Sequence, residues 1–295
     1  MDFWQAISFT ETDQLIDIAK IAEEVGFAGL GVSEHLVTPE TIRAPYPYTP
    51  DGKVWWDPNV PWLEPWALAS VLASHTRRIR LLTNIYVLAM HDVFSAAKAV
   101  ATAACLSGNR VILGVAAGWM KDEFLLTGQD FHTRGRRLDE MLDVMAKLFA
   151  GGMVEHHGRF FDFPPIQMSP APTEPVPVFI GGESEPALRR AARHDGWVAG
   201  GPYPPDHILT LLTRLNELRR ENGTADGDYE VIVGLSVPPD LDTFKRLGEA
   251  GVTGITNVPW YYQGTPTSSL DHKRASLERF AEQFIEPLRD SRRPS

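Results

Sequence analysis

Asn109 to Phe131 reads NRVILGVAAGWMKDEFLLTGQDF. Its first part, Val111-Ile112-Leu113-Gly114-Val115, is an unbroken apolar run. Such a run lacks the period-2 alternation of a half-exposed strand and suits a parallel strand buried on both faces. It breaks into Ala116-Ala117-Gly118, three small residues at a strand end, where a flat ligand can approach the backbone. Trp119 follows, and Lys121-Asp122-Glu123 leads into a polar segment.

The same alternation of short apolar runs with amphipathic segments extends in both directions. Upstream, strands are expected at 4–9, 30–32 and 79–87, and helices at 12–25, 66–75 and 94–106. The first helix carries its apolar stripe on Leu15, Ile18, Ala22 and Val25, with Thr12 or Asp13 as cap and Gly26 past its end. Downstream, a helix is expected at 136–149, a small hairpin at 156–163 and a proline-rich connector at 164–177. Strands at 178–180, 196–199, 229–235 and 253–258 then alternate with helices at 186–193, 205–221, 241–250 and 270–288. Eight strands alternating with helices indicate a parallel sheet, and the count favours a closed (β/α)8 barrel over an open doubly wound sheet. The open-sheet GxGxxG fingerprint is absent between the first strand and helix. One domain over residues 1–295 is expected, ending in a polar tail at 289–295.

Residues 37–65 interrupt this order. They hold seven prolines and five large aromatics, Tyr46, Tyr48, Trp55, Trp56 and Trp62. The prolines forbid regular structure and the aromatics require packing. Long irregular loops in compact domains are usually functional, so this insertion is a candidate lid.

Of the 295 residues, 43% are hydrophobic and 22% charged, as in ordinary globular proteins, and the formal net charge is −10. That charge argues against a general nucleic-acid or anionic-membrane binder. The single cysteine, Cys105, excludes an internal disulfide and is expected to be a buried small hydrophobe. No signal peptide and no apolar stretch long enough to span a membrane is read, so a cytoplasmic protein is expected.

In a barrel the site lies at the carboxyl ends of the strands. Glu34 and His35 close the second strand, where a histidine can move a proton near neutral pH or bond a heterocycle. Thr83, Asn84 and Ile85 close the third. Gly181-Gly182 with Ser184 precedes a helix, an arrangement that admits a phosphate, although Glu183 and Glu185 stand in the same turn. Arg189, Arg190 and Arg193 read as solvated helix-face residues, and Arg134, Arg136 and Arg137 as structural partners of Glu123 or Asp139. His156 and His157 read as hairpin residues. No histidine and carboxylate cluster has metal-ligand spacing. Trp55, Trp56, Trp62, Trp119 and Trp260 together make a candidate aromatic, water-poor pocket.

Leu106-Ser-Gly-Asn-Arg-Val-Ile-Leu-Gly-Val-Ala-Ala-Gly-Trp119, with Asp122-Glu-Phe124, resembles the signature of luciferase-like flavin and deazaflavin oxidoreductases. Ser33-Glu-His-Leu36, Ile180-Gly-Gly182 and Asp195-Gly-Trp197 are similar to further motifs of that family, in the same order. Ala44-Pro-Tyr-Pro-Tyr-Thr-Pro-Asp-Gly52 and Pro61-Trp-Leu-Glu-Pro65 resemble the branch that uses coenzyme F420, a deazaflavin. The resemblance implies a dimeric (β/α)8 barrel with the deazaflavin on its strand ends. It puts a proton-handling His35, oriented by Glu34, beside the ring. It puts a non-proline cis peptide at Asn84-Ile85 behind the ring, Ala116, Ala117 and Gly118 beneath it, and its phosphate at Gly181, Gly182 and Ser184. Trp119, Trp55, Trp56 and Trp260 would shape the substrate pocket. Some sugar-phosphate-oxidising members carry a glutamate where this chain has Trp119. The function so implied is hydride transfer between F420 and a small organic substrate. Flavin mononucleotide (FMN) with monooxygenase chemistry is the alternative, and a non-catalytic barrel binding a phosphorylated ligand is a third.

Overall fold

The structure, a computed structural model, describes residues 1–263 and 269–290. Residues 291–295 of the expected polar tail lie outside the described residues. Among the described residues ten strands occur in chain order: β1 (Asp2–Ala6), β2 (Gly29–Val32), β3 (Arg80–Thr83), β4 (Val111–Val115), β5 (Val154–His157), β6 (Asp162–Ile166), β7 (Val178–Gly181), β8 (Gly196–Tyr203), β9 (Glu230–Leu235) and β10 (Gly254–Asn257). Eight close a barrel in the order β1-β10-β9-β8-β7-β4-β3-β2. Every neighbouring pair in it is parallel. β5 and β6 form a separate antiparallel hairpin. The helices between strands are α1 (Leu15–Val25), α2 (Pro65–His75), α3 (Val93–Ser107), α4 (Lys121–Leu126), α5 (Arg134–Phe149), α6 (Glu185–Ala191), α7 (Pro205–Glu221) and α8 (Leu241–Glu249). α9 (Leu270–Phe280), a π turn at Ala281–Ile285 and α10 (Glu286–Asp290) follow the last strand. The protein is therefore a (β/α)8 barrel.

The barrel interior is filled by Trp4, Leu82, Ile112, Phe179, Val198 and Ile232, from six different strands. Trp4 fits because its neighbours lack side chains: a Cβ on Gly29 would lie 2.0 Å from the Trp4 ring, and one on Gly254 2.7 Å from it. At the amino-terminal end, Arg80 makes a two-pronged bond to Glu230 at 2.7 and 2.8 Å and stands over the Trp4 ring. The larger hydrophobic layer lies between the strands and helices.

Several boundaries depart from expectation. β1 starts at Asp2 and ends at Ala6. Thr12–Gln14 form a 3-10 turn, and the N-cap of α1 is Gln14, which makes no side-chain cap bond. The third strand stops at Thr83, before the cis Asn84–Ile85 peptide, and beyond it only Tyr86 pairs with β4, opposite Val115. The polar segment after Trp119 is helical, as α4. β8 continues to Tyr203 through an irregularity after Val198, re-pairing Pro202 and Tyr203 with Gly234 and Leu235. Cys105 is exposed, its Sγ 3.5 Å from the Ala171 carbonyl.

Candidate active site

The carboxyl ends of β1, β2, β3, β4 and β7 converge under the insertion. Ser8 Oγ donates to Ser33 Oγ at 2.8 Å, and Ser33 Oγ donates to the Asn84 carbonyl at 2.8 Å. The ends of β1 and β2 thus hold the cis Asn84–Ile85 peptide from one side. On the other side, a Cβ on Gly181 would come within 2.8 Å of the Ile85 side chain. Only glycine lets β7 pass this close.

Glu34 does not orient His35. Its carboxylate accepts the Val87 N–H at 2.6 Å and pairs with His91 Nε2 at 2.8 Å, while Tyr86 stacks on His91 with centroids 4.3 Å apart. Glu34 therefore braces the loop after β3. His35 finds its carboxylate on α4: Nδ1 lies 3.0 Å from Glu123 Oε2. Glu123 Oε1 also accepts the Leu36 N–H at 2.8 Å and, more weakly, the Val37 N–H at 3.4 Å. Glu123 is only 1% exposed. A carboxylate is an acceptor only, so Nδ1 carries a hydrogen, and in that tautomer the lone pair lies on Nε2. Among the described residues Nε2 has no protein partner. One nitrogen is fixed and the other is left for a ligand.

The insertion packs around this imidazole. Trp62, Trp56 and Trp119 lie 4.9, 5.3 and 5.9 Å from it, centroid to centroid. Tyr46 bridges Trp56 and Trp119, at 5.1 Å from each. Phe9 has the left-handed φ of 63°, and its ring meets Trp55 and Trp62 at 4.6 and 5.1 Å. The turn after Phe9 is held by buried Lys273, which bonds Glu11 and Gln14. These rings enclose a cavity of about 170 Å³ with His35, Asn84, Ile85, Gly118 and Gly181 at its floor. Burial pushes the Tyr48 hydroxyl up to about 12, with Tyr46 and Glu183 adding to the effect, and burial raises Tyr46 as well. Neither phenol exchanges protons at neutral pH.

A larger cleft of about 1020 Å³ adjoins the cavity and shares Tyr48, Ile85, Gly118, Trp119 and Gly181 with it. Ala116, Ala117, Gly182 and Ser184 line it, so the expected cofactor residues fall along one continuous surface. The two acidic residues in the turn have basic partners, although Glu183 also lines the cleft. Glu185 pairs with Arg189 at 2.6 Å and Arg214 at 2.7 Å, and Glu183 with His207 at 3.0 Å. Arg43, Lys121 and Arg136 also line the cleft.

Other expectations are corrected here. Arg134 and Arg137 donate to backbone carbonyls, of Gly118 and Phe131 and of Ala89 and His91, and neither pairs with a carboxylate. Arg190 is buried and bonds Asp139 at 2.6 Å. Trp260 is 1% exposed, packs beneath Lys273 and lines neither cavity. Sequence reasoning missed the role of Glu123 and His91. It also missed the Asp122 carboxylate, which accepts the Arg43 N–H at 3.1 Å and ties the insertion to α4. His156 and His157 lie in the hairpin, as expected, His156 pairing with Glu140 of α5 and His157 with Asp162 of β6. Among the described residues no group of histidines, cysteines and carboxylates could hold a metal ion. No described helix is long and apolar enough to cross a membrane.

A closed parallel barrel with a histidine–carboxylate pair, an enclosed cavity and an adjoining cleft at its carboxyl strand ends has the organisation of a barrel enzyme. Residues 5–288 match the model of the luciferase-like monooxygenase family, and the chain belongs to that family. It is 36% identical over 288 residues to an uncharacterized protein of Mycobacterium tuberculosis, covering 97% of this chain and 99% of that one. It is 27% identical over 239 residues to the F420-dependent glucose-6-phosphate dehydrogenase of Microbacterium testaceum, covering 78% of this chain and 66% of that one. Its fold matches that of the coenzyme F420-dependent tetrahydromethanopterin reductase of Methanopyrus kandleri, with a TM-score of 0.75 at 15% identity over 97% and 99% of the two chains.

Proposed function

We propose that this protein is an oxidoreductase that moves a hydride between a deazaflavin of the coenzyme F420 type and a small organic substrate. His35 is the proton donor or acceptor. The observation that carries the reading is His35 itself, with Nδ1 fixed on Glu123 and Nε2 left unpartnered at a mostly apolar cavity. The cleft beside it suits a tricyclic cofactor with a phosphorylated tail. Its floor is made of small residues at Ala116, Ala117, Gly118, Gly181 and Gly182, which a flat ring can approach. Gly182, at φ 109°, and Ser184 would hold the phosphate, and Arg43, Lys121 and Arg136 supply positive charge for an anionic tail. Asn84 and Ile85 would back the ring. When bound, a deazaflavin gives or takes two electrons as a hydride.

The protein's part is then positional and protic. The insertion tryptophans exclude water, Glu123 sets the tautomer of His35, and Nε2 takes or returns the substrate proton. The dedicated carboxylate is Glu123, and Glu34 serves by holding the loop that carries Ile85 and Val87. The family resemblance extends the proposal to a cytoplasmic homodimer.

Titration of the purified protein with F420 and with FMN, followed by tryptophan quenching, tests the cofactor. Tight binding of F420 and weak binding of FMN is expected, and equal or reversed affinity removes the deazaflavin assignment in favour of a flavin monooxygenase. His35→Ala is expected to leave F420 affinity within about threefold and to lower turnover by roughly 10²–10⁴. An unchanged rate excludes His35 from the chemistry.

A further inference from the structure

The cavity over His35 is walled by aromatic rings, and among the described residues no lysine or arginine lines it. Its charged groups are Glu34, His35 and Glu123, each already engaged by protein partners. The cations near the site, Arg43, Lys121 and Arg136, line the adjoining cleft and not this cavity. A buried anion without a counter-charge is costly, and two carboxylates nearby make this location worse for one. At about 170 Å³ the cavity is also smaller than the ~300–1,000 Å³ of ordinary small-molecule pockets. The polar groups of the lining are His35 Nε2, the Asn84 side-chain amide, the Tyr46 and Tyr48 hydroxyls and the indole N–H groups, among them the unpartnered Trp62 Nε1, and all of them are neutral.

We infer that the substrate is a compact, uncharged, largely apolar or aromatic alcohol, seated between Trp56, Trp62 and Trp119 with its hydroxyl donating to His35 Nε2. This rests on the oxidoreductase reading for the word substrate, but the binding claim stands apart from the cofactor. It sets this chain apart from the glucose-6-phosphate dehydrogenases to which it is similar, since a sugar phosphate needs the cation partners that are missing here. An aromatic cage can also hold a quaternary ammonium ion. The neutral ligand is favoured because the cavity's carboxylates are committed to His35, His91 and backbone N–H groups and offer no free negative charge.

The test is 19F NMR line broadening of 4-fluorobenzyl alcohol by the full-length protein, with and without F420. Glucose 6-phosphate and choline serve as competitors. The alcohol is expected to bind, and neither competitor is expected to displace it at tenfold excess. Trp56→Ala should weaken binding roughly three- to tenfold, with far-UV circular dichroism confirming that the variant is folded. Trp119→Arg provides a second variant: it should weaken the alcohol and allow 4-fluorobenzoate to bind. Displacement of the alcohol by glucose 6-phosphate or choline overturns the inference, as does binding that neither variant changes. Failure of F420 to bind while the alcohol result holds would instead remove the cofactor proposal and leave the pocket assignment standing.

Discussion

Replacing Glu123 tests whether α4 sets the state of the site histidine. Glu123→Ala removes the acceptor of His35 Nδ1–H, of the Leu36 N–H at 2.8 Å and of the longer Val37 contact at 3.4 Å. Two good hydrogen bonds are lost. An orphaned buried donor costs about 1–3 kcal/mol, but the side chain of His35 borders the cavity, where water can replace one partner. A loss of about 2–4 kcal/mol follows. Glu123→Gln keeps a carbonyl oxygen for Leu36 and loses the charge, so about 1–2 kcal/mol is expected. The histidine itself gives the sharper signal. A carboxylate can only accept, which puts the hydrogen on Nδ1, whereas a glutamine amide can donate to Nδ1 and move the hydrogen to Nε2. Urea unfolding measures the first quantity and the 15N shifts of His35 the second. The parent's neutral imidazole should show the Nδ1–H tautomer and the Gln variant's a shift toward Nε2–H. An Nε2–H tautomer in the parent, or an Ala loss below about 0.5 kcal/mol, would refute the reasoning.

Two further perturbations probe the strap and the pH response. A Cβ on Gly200 would stand 2.5 Å from the Tyr48 hydroxyl, so Gly200→Ala should unseat Tyr48 at a cost of about 1–3 kcal/mol and speed proteolytic cleavage within residues 37–64. Unchanged cleavage would show that this contact does not hold the insertion. His194 is held below the ordinary histidine range, chiefly by burial, with Arg193 and Arg190 opposing its charge while Asp195 and Asp139 favour it. Its folded value lies below its unfolded one, so the contribution is complete above about pH 6.5 and is lost as pH falls toward the depressed value. His194→Asn should flatten the stability–pH curve below about pH 6.5 relative to the parent, and parallel curves in urea titrations would exclude this assignment.

The barrel is legible in the sequence because buried parallel strands are apolar runs, and Val111–Val115 is one. Its edges are less so. Residues 84–87 look like strand but contain the cis Asn84–Ile85 peptide, and only Tyr86 keeps a pairing with β4. β8 runs the other way: Gly200-Gly201-Pro202 reads as loop, yet the chain re-enters the sheet at Pro202 because β9 offers partners at Gly234 and Leu235. Trp260 and Trp119 both follow strands, and composition gives no sign of which ring faces inward. Lys273, from α9, sits over Trp260 and keeps it in the core, while Tyr46 and His35 draw Trp119 over the cavity.

The expected pairing of His35 with Glu34 fails for a reason readable in the sequence. Adjacent residues in extended chain point to opposite sides. Glu34 and His35 leave the end of β2 in that way, Glu34 toward Val87 and His91 and His35 toward Trp62 and the cavity. A neighbour in sequence is therefore the residue least able to reach the imidazole. The partner has to come from another strand-end loop, and Glu123, 88 positions away, lies in the Asp122-Glu-Phe124 motif that carries the family resemblance. The acidic pair of that motif has a physical role in the site. Asp122 takes the backbone of the insertion at Arg43, Glu123 takes the backbone after His35, and one short helix thereby fixes both the cover and the base of the cavity.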